Sequence, residues 1–523
     1  MNYGIAIMHV IRSVVGLSAA FTCLAANAVA QASFHPPIAY SVGTDPEAVA
    51  VADFDGDGHL DLVSTVRTPA RLSLVRNLGA GAFGPAEFTA LDVLSEPMDI
   101  VAGDFNGDGR MDLVVALQGV DSIQYLPNLG NGAFGAGVTL PVGDGPTHIT
   151  KGDWDRDGDD DLAVSNRLSG TVSIVLNVGP GAFQVSQTII VGVGPRGLAS
   201  GKFQAPPIGG GSAPLDLVVV MHQLRRITFL TNLGSGAFVV GQTIAMSSNP
   251  TDQRPEDVAV ADFDEDGDDD VALSISDTTI QDIGLLLQTS PNVFAPMTYY
   301  PTGAVHPVGL VAADLDRDGR MDVAVANSAT NFLSVLLNIG GGQLGVAETF
   351  ALLGPAADFV AAGDLDRNGY LDLIATNDQG NSVSVLLSSS VNPQTYCTGA
   401  PNTAGAGARI SSTGSVSIAA NDLVLHITGA PALVNGLFFL GQTAQATPYY
   451  GGIMCVGQPI ARVGPTQMTN ANGATSRALD LGMWPMATIT DGAVRNFQFW
   501  YRDPTSSAGA ANFSDALRVV FTQ

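Results

Sequence analysis

Three features of the sequence predict an all-β protein. An acidic nine-residue motif recurs six times in register, the flanking segments are short, β-branched and of period two, and no long stretch carries a capped 3.6-residue stripe. Four short strands per unit, repeated seven times, predict a seven-bladed β-propeller, and the changed composition after residue 388 predicts a small β-sandwich or jelly-roll domain behind it. At 523 residues and 46% hydrophobic content, the chain exceeds one ordinary domain and can fill substantial cores. Its net charge of -27 excludes a nucleic-acid partner on electrostatic grounds, because phosphate backbones are bound mainly by cationic side chains.

Taken in chain order, residues 1–30 read as a secretory signal: His9 and Arg12 lead into the apolar run VVGLSAAFTCLAA, and Ala28-Val29-Ala30 precede Gln31. The run is shorter than the ~20 residues that span a bilayer, and no later segment is long and apolar enough. Secretion, with no transmembrane segment after signal removal, is therefore expected. Residues 34–43, FHPPIAYSVG, match the outer stretch of a repeat yet precede the first motif, while the last unit stops near 388 without its own outer strand. The N-terminal strand is expected to complete the seventh blade and close the ring, which removes the free edges.

The propeller is expected over 34–388. Its acidic loops are DFDGDGHLD at 53–61, DFNGDGRMD at 104–112, DWDRDGDDD at 153–161, DFDEDGDDD at 262–270, DLDRDGRMD at 314–322 and DLDRNGYLD at 364–372. A double gap between the third and the next of these marks a degenerate unit, in which APPIGGGSAP replaces the loop and only Asp216 remains.

Side chains at loop positions 1, 3, 5 and 9 can converge on one ion while the glycine at position 6 allows the reversal. Oxygen donors with no Cys or His suit calcium. The ligand sets are Asp53, Asp55, Asp57 and Asp61; Asp104, Asn106, Asp108 and Asp112; Asp153, Asp155, Asp157 and Asp161; Asp262, Asp264, Asp266 and Asp270; Asp314, Asp316, Asp318 and Asp322; and Asp364, Asp366, Asn368 and Asp372. About six Ca2+ ions are expected, none of them in the fourth unit. Position 2, occupied by Phe54, Phe105, Trp154, Phe263, Leu315 or Leu365, reads as a plug into the blade core.

This repeat resembles the FG-GAP and VCBS type found in the N-terminal propeller of integrin alpha chains and in many exported bacterial proteins. The resemblance covers roughly 34–388 and implies seven blades, with calcium loops between the first and second strands of a blade. The Phe-Gly element is similar to Ala82-Phe83-Gly84 and Ala133-Phe134-Gly135, while Phe183, Phe238 and Phe294 keep the aromatic without the glycine. The family implies adhesion or ligand binding more often than catalysis.

After 388 the chain turns rich in Ala, Gly, Thr and Asn, and alternating stretches suggest the β-sandwich-like module over 395–523. Cys397 and Cys455, in a compartment that permits oxidation, are expected to form one disulfide. Of Phe497, Phe499, Trp500 and Tyr501, alternation places at least two in a core. No nucleophile or zinc-protease motif appears; His148 and His306, shortly before their acidic loops, read as hydrogen-bonded turn residues or as part of one rim. The sequence thus favours no catalytic residue and a secreted calcium-binding propeller that binds an extracellular protein or glycan in an adhesion-like role. The alternatives are a calcium-dependent polysaccharide-active enzyme such as a lyase, and a structural envelope component.

Overall fold

The computed structural model describes residues 34–206, 212–246, 254–276, 281–388, 394–396, 407–413, 423–442, 444–449, 452–457, 460–479, 493–502 and 511–520. The signal segment and Cys397 lie outside them.

Period-two sequence with Gly and Asn turns gives antiparallel strands, and these assemble into seven four-stranded sheets. Blade 1 consists of Thr44–Ala52, Asp61–Thr68, Arg71–Val75 and Glu87–Ala90, from the axis outward. Blades 2 to 6 repeat this order over 97–141, 146–190, 195–245, 254–301 and 307–351. Blade 7 takes three strands from Ala357–Gly363, Asp372–Asn377 and Ser382–Leu386 and its outer strand from Ile38–Ser41, paired as Ile38↔Val385 through Ser41↔Ser382. The innermost strands of successive blades pack side by side, and that of blade 7 meets that of blade 1, so the ring closes as the N-terminal stretch suggested.

The acidic loops join first and second strands and therefore occupy one rim, together with the turns between third and fourth strands. The opposite rim carries the turns between second and third strands and the connections from blade to blade. Every predicted plug residue at loop position 2 is buried, from Phe54 to Leu365. Three plugs meet the aromatic of the next blade's turn: Phe54 packs edge-on against Phe134, Phe105 against Phe183 and Trp154 against Phe238, at 5.5–6.0 Å. Such pairs contribute about 0.5–1.5 kcal/mol each beyond area burial. This accounts for an aromatic that persists where the following glycine has been lost.

Beyond the ring, a five-stranded sheet (Gln394–Tyr396, Ala511–Val520, Val494–Arg502, Asn435–Gly441, Ala461–Met468) and a three-stranded sheet (Arg409–Thr413, Val424–Thr428, Thr475–Ala478) contribute to one hydrophobic core. Phe497, Phe499 and Tyr501 are fully buried there, and Trp500 packs in a smaller cluster on the other face of its strand. The aromatic run is core. No helix among the described residues is long and apolar enough to cross a membrane.

Candidate functional site

Within each acidic loop the carboxylates first organise the backbone. The position-1 carboxylate accepts the glycine N–H at position 6, as in Gly58 to Asp53 (2.8 Å), Gly109 to Asp104 (2.8 Å), Gly319 to Asp314 (3.1 Å) and Gly369 to Asp364 (2.9 Å). The position-3 side chain accepts the N–H of position 5, and position 5 accepts that of position 7, for example Asp57 to Asp55 (3.1 Å) and His59 to Asp57 (2.7 Å). These turns aim the remaining oxygens inward.

Five of the six predicted sets bring carboxylate oxygens within 4.8 Å of one another: Asp53, Asp55 and Asp57; Asp153, Asp155 and Asp161; Asp262, Asp264 and Asp270; Asp314, Asp316 and Asp322; and Asp364, Asp366 and Asp372. Asp61 lies outside the closest carboxylate group of its loop, as do Asp157, Asp266 and Asp318 of theirs. In the second loop Asn106 stands at position 3, where every other group has a carboxylate, so its aspartates alone form no such group, and Asp112 is engaged by the Tyr125 hydroxyl at 2.9 Å.

The donor set fits a hard divalent cation. Asp153, Asp314 and Asp364 each keep an Oδ1 that is buried and has no hydrogen-bond partner, which an oxygen-seeking ion would satisfy. Burial raises Asp161, Asp270, Asp322 and Asp372 to about 7, with neighbouring carboxylates adding to the rise and backbone N–H groups opposing it.

Position 9 has a second task that the spacing did not disclose. One oxygen accepts the plug residue's N–H, as in Leu365 to Asp372 (2.7 Å), and the other accepts the N–H of an asparagine at the end of the third strand or just past it, as in Asn77 to Asp61 (2.8 Å) and Asn338 to Asp322 (2.7 Å). That asparagine's side chain then reaches the preceding blade: Asn77 Nδ2 donates to Leu365 O (2.7 Å), Asn128 to Phe54 O (2.9 Å), Asn177 to Phe105 O (2.8 Å), Asn232 to Trp154 O (3.0 Å) and Asn338 to Phe263 O (2.7 Å). The signal was present as an Asn two residues before Gly in five turns, but it resembled ordinary turn chemistry.

The fourth loop shows this task in isolation. Lys202, Phe203 and Gln204 stand at positions 1 to 3, so a cation replaces the first ligand. Gln204 Nε2 donates to Asp216 at 2.6 Å and to Asn232 O at 2.9 Å, and Asp216 still accepts the Asn232 N–H at 2.7 Å.

Of the two histidines, His306 is a turn residue with Nδ1 2.6 Å from Ser328 Oγ. His148 instead lines a cavity of about 170 Å³ on the propeller axis, together with Glu47, Asp99, Arg196, Glu256 and Asp358. Burial depresses its ring to about 3, aided by Arg196, so it is neutral.

Fold and loops together define a β-propeller whose blades carry acidic inter-strand loops. The FG-GAP-like repeat family matches residues 53–115, 104–164 and 314–375, so these stretches are FG-GAP-like repeats and the propeller is consistent with that family. No curated protein matches it. Among solved structures it is similar to BBS1N in its complex with ARL6DN (16% identity over 69% of this chain and 98% of that one, TM-score 0.48). It is similar also to an N-acetylglucosamine-recognising lectin of Agrocybe aegerita (16% identity, 59% and 81% covered, TM-score 0.43) and to a Lactobacillus plantarum protein (13% identity, 61% and 88% covered, TM-score 0.47).

Proposed function

We propose that this chain is a secreted, calcium-holding propeller that binds a macromolecular ligand, a surface protein or glycan, through one rim in an adhesion-like role. The observation that carries the calcium reading is the inward convergence of carboxylates in five loops, with orphaned oxygens at Asp153, Asp314 and Asp364. The second loop completes a set of six if an ion draws Asp104, Asn106, Asp108 and Asp112 together. The reading divides the chain into a signal (1–30), a propeller (34–388) and a C-terminal module (395–523). A Cys397–Cys455 disulfide is supported by Cys455, which is fully buried and carries no free thiol.

Both rims expose apolar side chains, Leu78, Leu129, Val178, Leu233 and Ile339 at 52–70% on the loop rim among its acidic loops, and we assign the ligand to the rim opposite, which is free of them. Its turns and connections expose Val93, Leu94, Leu168, Val193, Val305 and Leu353, each 48–78% accessible. Apolar side chains gathered on a rim mark interaction surfaces.

The test is elemental analysis of the dialysed protein, followed by a glycan and surface-protein screen with and without calcium. Fewer than three calcium ions per chain would defeat the metal reading. The rim assignment predicts that Leu94→Glu or Leu168→Glu abolishes capture while Leu129→Glu, on the loop rim, does not; the reverse pattern would move the site.

A further inference from the structure

The cavity on the axis is built from one repeat position filled differently in every blade. The residues that follow Pro46, Pro97, Pro146, Pro195, Pro255, Pro307 and Ala357 in the innermost strands face it: Glu47 in blade 1, Met98 and Asp99 in blade 2, Thr147 and His148 in blade 3, Arg196 in blade 4, Glu256 and Asp257 in blade 5, Val308 and Gly309 in blade 6, Asp358 and Phe359 in blade 7, with Arg167 also on its wall. The blades crowd here, since a Cβ on Gly309 would sit 2.7 Å from the Asp358 carbonyl oxygen.

The two halves of the wall differ. On blades 3 to 5, Glu256 is held by Arg196 and by Ser276 Oγ (2.8 Å), and Asp257 accepts the Leu310 N–H (3.3 Å). Asp99, across the cavity, accepts the Ile149 N–H at 2.8 Å. On the consecutive blades 6, 7, 1 and 2, Glu47 is held by Arg67 at 2.7 Å, but no hydrogen bond or ion pair reaches the Asp358 carboxylate among the described residues. Half-buried Val308, Phe359 and Met98 lie on the same side. A second polar atom on the wall is also left over: His148 Nδ1 is buried and without a partner.

Charge and size narrow the occupant. Five carboxylates face two guanidinium groups, one of them already paired with Glu256, which disfavours an anion. No three carboxylate or imidazole atoms converge here within 4.8 Å among the described residues, unlike in the loops, which disfavours a bare metal ion. At about 170 Å³ the cavity is below the roughly 300–1,000 Å³ of sites that enclose a drug-sized ligand, so it takes a small group. We propose that the axial cavity binds a primary alkylammonium, its charge on Asp358 and Glu47 and its short hydrocarbon on Met98, Val308 and Phe359. This site is separate from the ion loops and does not rest on the calcium reading. Burial and the Glu47 charge push the Asp358 carboxyl up to about 6, so a cation gains most where that group has ionised.

The experiment is titration calorimetry of the full, calcium-saturated chain at pH 7 with n-butylammonium as probe. One saturable site is expected, with methylammonium weaker because it forgoes the apolar contacts. Asp358→Asn should weaken binding roughly tenfold or more, and Met98→Ala a few-fold. Asp358 has no protein partner to lose, so the variant should keep the wild-type melting temperature. Should it fail to fold, the Met98 methyl resonance of the wild type, assigned through Met98→Leu, must shift on saturation. Absence of saturable binding, undiminished binding by Asp358→Asn, an unmoved Met98 methyl, or release of calcium by the probe would each overturn the proposal.

Discussion

Blades 3 and 4 are neighbours built on one plan, yet blade 3 carries an acidic loop with six aspartates and blade 4 has none. Both keep a plug (Trp154, Phe203), a position-9 aspartate (Asp161, Asp216) and an asparagine that latches the preceding blade (Asn177, Asn232). Blade 4 has discarded what an ion needs and kept what a blade needs. The comparison separates two roles that coincide in a single motif elsewhere: position 9 and the asparagine serve the architecture in both blades, and the carboxylates at positions 1 and 3, which converge with position 9 in blade 3, are what the ion reading adds.

The largest expected effect is calcium removal, which should destabilise the ring as a whole. A site at a hundredfold excess over its Kd contributes about 2.7 kcal/mol, and the contributions of several loops accumulate. Chelation should therefore lower the melting temperature strongly, and limited proteolysis in chelator should cut blade 3 before blade 4. Equal protection of the two blades in chelator would erase the distinction.

Next comes Asp216→Ala, expected to cost about 2–3 kcal/mol in denaturant unfolding because it leaves the buried Asn232 N–H without its acceptor. It should do so without changing calcium content. Asp314→Ala is the complement: it should remove one ion and destabilise chiefly in calcium, with the difference from wild type shrinking in chelator. If Asp216→Ala lost an ion, the division of roles would be wrong.

Asn128→Ala should cost about 1–2 kcal/mol through the lost bond to Phe54 O, and Asn232→Ala a similar amount in the blade without an ion. A much larger loss for Asn128 would show that the latch acts through the ion loops and not beside them.

The smallest effect is a pH dependence. Burial raises the Asp216 carboxyl to about 6, above its unfolded value near 3.8, so the folded state favours its protonated form. Its contribution is full below the unfolded pKa and is lost as pH rises through about 6. In chelator, stability should fall between pH 4 and 7 less steeply in Asp216→Asn than in wild type, and parallel profiles would remove Asp216 from this account.

Much of the fold was legible because its signals are local. A nine-residue loop carries its glycine, its plug and its carboxylates within a few turns of chain, and six copies in register reveal a period that one copy could not. The stray N-terminal strand was legible for the same reason, and it pairs as Ile38↔Val385. The latch was harder to read, because Asn77 and Leu365 are 288 residues apart and the asparagine has the look of an ordinary turn residue.

The sequence by itself determined the repeat, the oxygen-donor loops, the degenerate fourth unit and the aromatic core of the C-terminal stretch. Only the tertiary structure decided that Asp216 survives as a strut and that Glu47, Glu256 and Asp358 share one cavity. The physical reason is the same in each case. A repeat announces itself where every copy keeps the same residue, whereas the axis is assembled from a position at which each blade differs, and ring closure alone brings those differences together.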